Sequence, residues 1–247
     1  MIANLKAEFR KLLSVRSTYF IVGATLLIVM FFAGFISGFK ANPGDLQSST
    51  LLAEQSTNAV VFVGLILAFA GLLLVGHEYR YNTIMYTLTA ANRRYKVLLA
   101  KLIAVSTFAL VASLFVTFFS PLCTIIGVHL HGYTISPQTY DYWSIIWRCL
   151  FCGWGYALYA FILIAVLRNQ VGAIVSFLLV PLIGENILGL LLKHNTKYLP
   201  FTAVQAVAAP DNLGNHLTAS HEALIVLTYI VVGLVLSMVL FVRRDAN

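Results

Sequence analysis

Six long apolar runs take up nearly the whole chain and constrain this sequence more than any other feature. About 20 apolar residues match a hydrocarbon layer ~30 Å thick at 1.5 Å of helical rise per residue. No water reaches the backbone in such a layer, so each run must pair its own N–H and C=O groups as a helix. The runs cover about residues 18–39, 57–77, 97–126, 144–167, 171–192 and 222–242. The third is long, and Ser120-Pro121 predicts a bend in it. Only Arg168, Asn169 and Gln170 separate the fourth from the fifth, which predicts a tight antiparallel hairpin. The expected fold is an all-α membrane protein with six transmembrane helices in a single domain over 1–247. A composition that is 60% hydrophobic and 10% charged excludes an ordinary soluble domain.

The first run starts after a basic segment and has no small-residue exit, so it is expected to be a retained span rather than a secretory signal. Lys/Arg bias sets the orientation. With both termini cytoplasmic, twelve of the sixteen basic residues fall inside, and only Lys40, Arg148, Lys193 and Lys197 fall outside. The +7 charge is then a topology signal; a nucleic-acid partner would need a soluble basic face, so none is expected.

Residues 1–17 form an expected interfacial helix. Ile2, Leu5, Phe9, Leu12 and Leu13 make an apolar stripe about 100° wide, with Lys6, Arg10, Lys11 and Ser14 opposite. Such a helix lies in the inner interface of the lipid bilayer, its cations towards anionic head groups. Outside, Pro200 to Pro210 bracket nine mildly apolar residues, too few to cross. They predict a short helix resting on the outer surface or dipping in as a re-entrant piece. Tyr133, Tyr140, Tyr142, Trp143 and Trp147 suit an interfacial aromatic belt.

Reactive constellations are missing from the sequence. His77-Glu78 lacks the second histidine of H-E-x-x-H, and there is no G-x-S-x-G. Cys149 and Cys152 have C-x-x-C spacing without a second pair, so they are read as packing residues and no metal is expected. His129 and His131 are read as solvated loop residues. There is no G-x-x-x-x-G-K-[ST], so any ATP must be held by another polypeptide.

The inner loop from Gly76 to Lys101 is the most informative stretch. It leaves the second span with Glu78 and Arg80, carries a semi-apolar segment over 83–90, and returns through Arg93, Arg94 and Lys96, with Asn92 able to cap the returning helix. By composition alone it is a solvated loop.

The amphipathic start Leu5-Lys-Ala-Glu-Phe-Arg-Lys-Leu-Leu-Ser14, the segment Glu78-Tyr-Arg-Tyr-Asn-Thr83, the Arg93 to Lys101 re-entry, Pro181-x-x-x-Glu185 and Tyr198-Leu-Pro200 together resemble the permease subunits of type-2 ATP-binding-cassette exporters. The likeness covers essentially the full chain, and its specificity lies in the combination. It implies a multi-pass protein of the cell membrane, the bacterial inner membrane being the expected one. It implies further a dimer with a second permease copy or a homologous permease, bound by separate cassette ATPase subunits that carry ATP and Mg, with no enzyme activity or cofactor in this chain. It also implies a coupling helix in the loop 78–96, with Glu78, Arg80, Asn82, Thr83, Arg93, Arg94 and Lys96 as the coupling residues. Two departures blur its boundaries: Asn82 stands where the family often has Gly, and Ala90-Ala91-Asn92 replaces a Pro before the re-entry.

Glu185 lies deep in the fifth run, where an ionisable group costs about 2.5 kcal/mol or more and faces a cavity or a partner. Two roles stay open: lining or interface residue, or a protonated carboxyl bonded to a neighbouring helix. The expected function is export of a peptide, lipid or hydrophobic compound. The alternative is a non-transport immunity or assembly module that holds partners through its spans.

Overall fold

The computed structural model describes residues 2–40, 42, 51–81, 83, 84, 86, 94–135, 142–208 and 218–243. Among them the regular structure is helical throughout. An amphipathic helix α1 (Ile2–Ser14) turns at one extended residue, Val15, into α2 (Arg16–Val29), which continues as π-helix over Met30–Phe39. Next come α3 (Leu51–Arg80), α4 (Arg94–Leu130) and α5 (Tyr142–Leu167). The fifth span is composite: α6 begins as Gln170–Leu179, passes through a π turn at Val180–Gly184 and ends as Glu185–Leu192. A 3-10 stretch, Lys193–Tyr198, leads to α7 (Pro200–Ala208), and α8 (Ala219–Arg243) is the last span. Among the described residues six helical segments are long and apolar enough to cross a membrane, and they coincide with the six runs to within a few residues.

Helices α3 and α5 form the centre; α2, α6 and α8 stand at the edge with most of their surface exposed. Lipid tails are as apolar as leucine, so close packing must hold spans together. Small residues supply it here. The ring of Tyr156 on α5 occupies the space a methyl on Gly64 of α3 would need, 2.7 Å from its Cδ2. Gly153 of α5 lies against the Ser113 hydroxyl of α4, and Gly127 of α4 lies against the Gly34 carbonyl of the π stretch. Along that stretch the rings of Phe31, Phe35, Phe39 and His131 stack at centroid spacings of 5.8, 5.7 and 5.1 Å.

Helix α4 runs unbroken through Pro121. There the Ser120 hydroxyl leaves its own helix and donates to the Gln55 carbonyl of α3 at 3.1 Å, tying two spans where proline removes a backbone donor. The π turn of α6 also contains a proline, Pro181, a usual cause of a local break. The short element expected over 200–210 is helical in its described part, α7, and six of its nine residues are buried against the rest of the protein. It packs between α5 and α8, with Phe201 edge-on to Tyr159 and Phe177.

Candidate functional site: an ion-paired helix junction

Three helices meet at the α1 end of the bundle. Glu8 and Lys11 lie one turn apart on α1, Glu78 lies in the last turn of α3, and Lys101 lies two turns inside α4. The Lys101 ammonium donates to Glu8 Oε1 at 3.0 Å and to Glu78 Oε1 at 2.6 Å. The Lys11 ammonium donates to the same two oxygens at 3.1 and 2.6 Å. Both cations thus bridge both anions. Lys101 is 0% exposed, Glu8 4% and Glu78 6%. Taking isolated charges out of water costs several kcal/mol each, so they persist here only because each has two partners.

Burial works against the charge on Lys11, but its hydrogen bonds and Coulombic attraction to Glu78 and Glu8 outweigh that, and its pKa is raised. The stability tied to this raised pKa is whole below the ordinary lysine value of about 10.4 and is lost only as pH climbs through the higher folded value. The junction therefore keeps its Lys11 charge throughout the neutral range.

The helical wheel of α1 is read differently by the structure. Glu8 and Leu12 face the protein and are buried, while Leu13 is exposed on the other edge of the stripe. The apolar stripe thus serves two surroundings, with Glu8 on its protein-facing border. On its other flank α3 meets the α5–α6 hairpin, where a methyl on Gly76 would lie 2.8 Å from Cγ of Gln170. In that hairpin Arg168 takes a left-handed backbone (φ 53°) and donates to the Leu240 carbonyl near the end of α8 at 2.8 Å. Asn169 caps α6 by accepting from the Gly172 N–H at 3.0 Å.

The expected coupling residues are dispersed around this junction. Glu78 belongs to the helix and the ion set rather than to a loop. Arg80 is exposed, with its guanidinium 5.5 Å from the Tyr81 ring centre. Thr83 is exposed, Ile84 and Tyr86 have helical backbone, and Ile84 is buried. Arg94 opens α4, and Lys96 is half-buried two residues further on. Asn82 and Arg93 lie outside the described residues, as do Asn92 and most of the segment 83–90.

Glu185, in the fifth span, is not part of the ion set and has a separate task. One oxygen accepts from the Phe201 N–H at 2.7 Å, and the other accepts from the Thr202 N–H and hydroxyl, both at 2.7 Å. It satisfies the first free donors of α7 at the positive end of that helix. Sequence reasoning missed Lys101, Glu8 and Lys11 as a set. The available signals were a lone carboxylate beside the apolar stripe of a basic helix and a lysine inside a span.

A bundle of six membrane-crossing helices with an amphipathic helix ion-paired to the ends of two spans defines a multi-pass membrane protein. Residues 4–184, well over half of the chain, match the ABC-2 family transporter proteins, and the chain belongs to that family. It is therefore a membrane transport component of the permease type, and the match does not favour the immunity or assembly alternative. No curated protein matches it.

Proposed function

We propose that this chain is the permease subunit of an exporter powered by separate cassette ATPase subunits, which hold the ATP and Mg. It works with a second copy of itself or a homologous permease, with both termini and the 78–96 loop in the cytoplasm. The cargo is a peptide, a lipid or another hydrophobic compound. One observation supports this above the rest: the segment between α3 and α4 emerges directly from the junction where Glu8, Lys11, Glu78 and Lys101 join three helices. A push on that segment reaches α1, α3 and α4 together, and the Gly76–Gln170 contact extends it to the α5–α6 hairpin. Such a device yields rigid-body helix shifts of the kind that alternate access requires.

The test is to isolate the tagged chain from its native membrane and identify co-purifying ATPases, then to measure ATP hydrolysis in vesicles with Arg80→Ala and Arg93→Ala. Lower hydrolysis with intact assembly is expected. Labelling a cysteine at Thr83 from the external side only, or unchanged hydrolysis after replacing the whole loop, would refute it.

A further inference from the structure

Beside the ion set lies a cavity of about 410 Å³, between the α1–α2 elbow and the end of α3. That volume is within the range of small-molecule sites, about 300–1,000 Å³. Its two ends differ in chemistry. One is apolar, formed by Val15, Ile21, Ala70, Leu73 and Leu74. The other carries Lys11, His77, Glu78, Tyr81, Thr83 and Tyr86. The cavity follows the membrane's own gradient, because the elbow is where an interfacial helix gives way to a span.

An ammonium has three N–H donors, and Lys11 uses two of them on Glu8 and Glu78, leaving one for the cavity. Its side chain is 36% exposed, so that donor is reachable. Glu78 does not repel an incoming anion strongly, since the set it belongs to has two cations and two anions. Tyr81 of the polar end is in turn backed by Arg80, whose guanidinium lies 5.5 Å from the ring centre and adds a positive charge beside the lining.

We infer that this cavity binds one phospholipid of the leaflet on the α1 side, with its phosphate at Lys11, His77 and Arg80 and an acyl chain along Leu73 and Leu74. A monoanionic phosphodiester suits one spare ammonium donor plus a guanidinium. The tail avoids exposing an apolar wall at the head-group level. This site does not depend on the coupling proposal, because it requires neither a partner nor ATP.

Native mass spectrometry of the purified full chain, loaded with phosphatidylglycerol, tests it. One lipid retained per chain is expected. Diacylglycerol with the same tails lacks the phosphate and should be retained at least tenfold less. Inorganic phosphate at 10-fold excess over the lipid should not displace it, which separates a lipid site from a free-phosphate site. His77→Ala, at the polar end, and Arg80→Ala, behind Tyr81, should each lower retention several-fold. Thr18→Trp fills the cavity from α2 and Leu74→Trp fills it from α3, so that at least one folded variant reports on occupancy; each should abolish retention. Equal retention of diacylglycerol, displacement by inorganic phosphate, or full retention in a monodisperse filled variant would overturn the assignment.

Discussion

Lys101→Met probes the junction most directly. Methionine keeps the apolar stem but removes the ammonium that touches both Glu8 and Glu78. Two buried carboxylates are then left with Lys11 alone. Breaking a buried pair from one side costs about 3–5 kcal/mol. The variant has one escape, which is to bind a proton at one carboxylate. From the ordinary glutamate pKa of about 4.3, at 1.36 kcal/mol per pH unit, holding that proton costs about 3.7 kcal/mol at pH 7 and about 1 kcal/mol at pH 5. The sign follows: a carboxyl whose folded form prefers the proton is destabilised above its unfolded pKa, so the defect grows with pH and nearly vanishes in acid. The assay is reversible unfolding in mixed micelles by dodecyl sulfate titration at pH 5, 6, 7 and 8. Lys101→Met/Glu78→Gln removes one charge of each sign, so it should recover at least half of the loss at pH 7 and most of the pH dependence. A single variant within about 0.5 kcal/mol of the parent at pH 7, the range of an ordinary surface change, would refute the idea that these charges hold the junction. So would a large loss that is flat with pH, which would point to packing alone.

Glu185→Ala leaves the buried Phe201 N–H and the Thr202 N–H without their acceptor, for a loss of about 2–4 kcal/mol, and Glu185→Gln should lose less; a cysteine at Val204, shielded in the parent, should become reactive to maleimide in the alanine variant. Gly153→Ala drives a methyl into the Ser113 hydroxyl and should lower the melting temperature through a loss of about 1–3 kcal/mol, with Ser113→Gly in the same chain restoring most of it. Arg168→Ala removes the hydrogen bond to Leu240 and the contact with Phe241, so the end of α8 should be cut faster by a protease added on that side, for a loss of about 1–2 kcal/mol.

The six spans were legible because their cause is local: length and apolarity alone decide whether a segment can cross a bilayer. The 168–170 hairpin was legible for the same reason, since three residues leave the chain nowhere else to go. The ion set was not. Lys101 and Glu8 are 93 positions apart, and nothing in either neighbourhood specifies the other. The wheel of α1 placed Leu12 and Leu13 on one stripe correctly, but a wheel has no means of telling protein from lipid. Glu185 was visible as an expensive residue, whereas its partner was the backbone of a helix whose buried placement the sequence left open. Helix α4 continues past Pro121, where the Ser120 hydroxyl bonds to the Gln55 carbonyl of α3, a tie that no local signal specifies.

The junction's two lysines and two glutamates cancel one another's charge. A lone charge carried across a membrane potential does about 2.3 kcal/mol of electrical work per 100 mV, which is the principle voltage sensors use. A quartet that travels intact does almost none. When the helix ends it clamps shift against one another, the quartet itself therefore adds almost no voltage dependence to the movement.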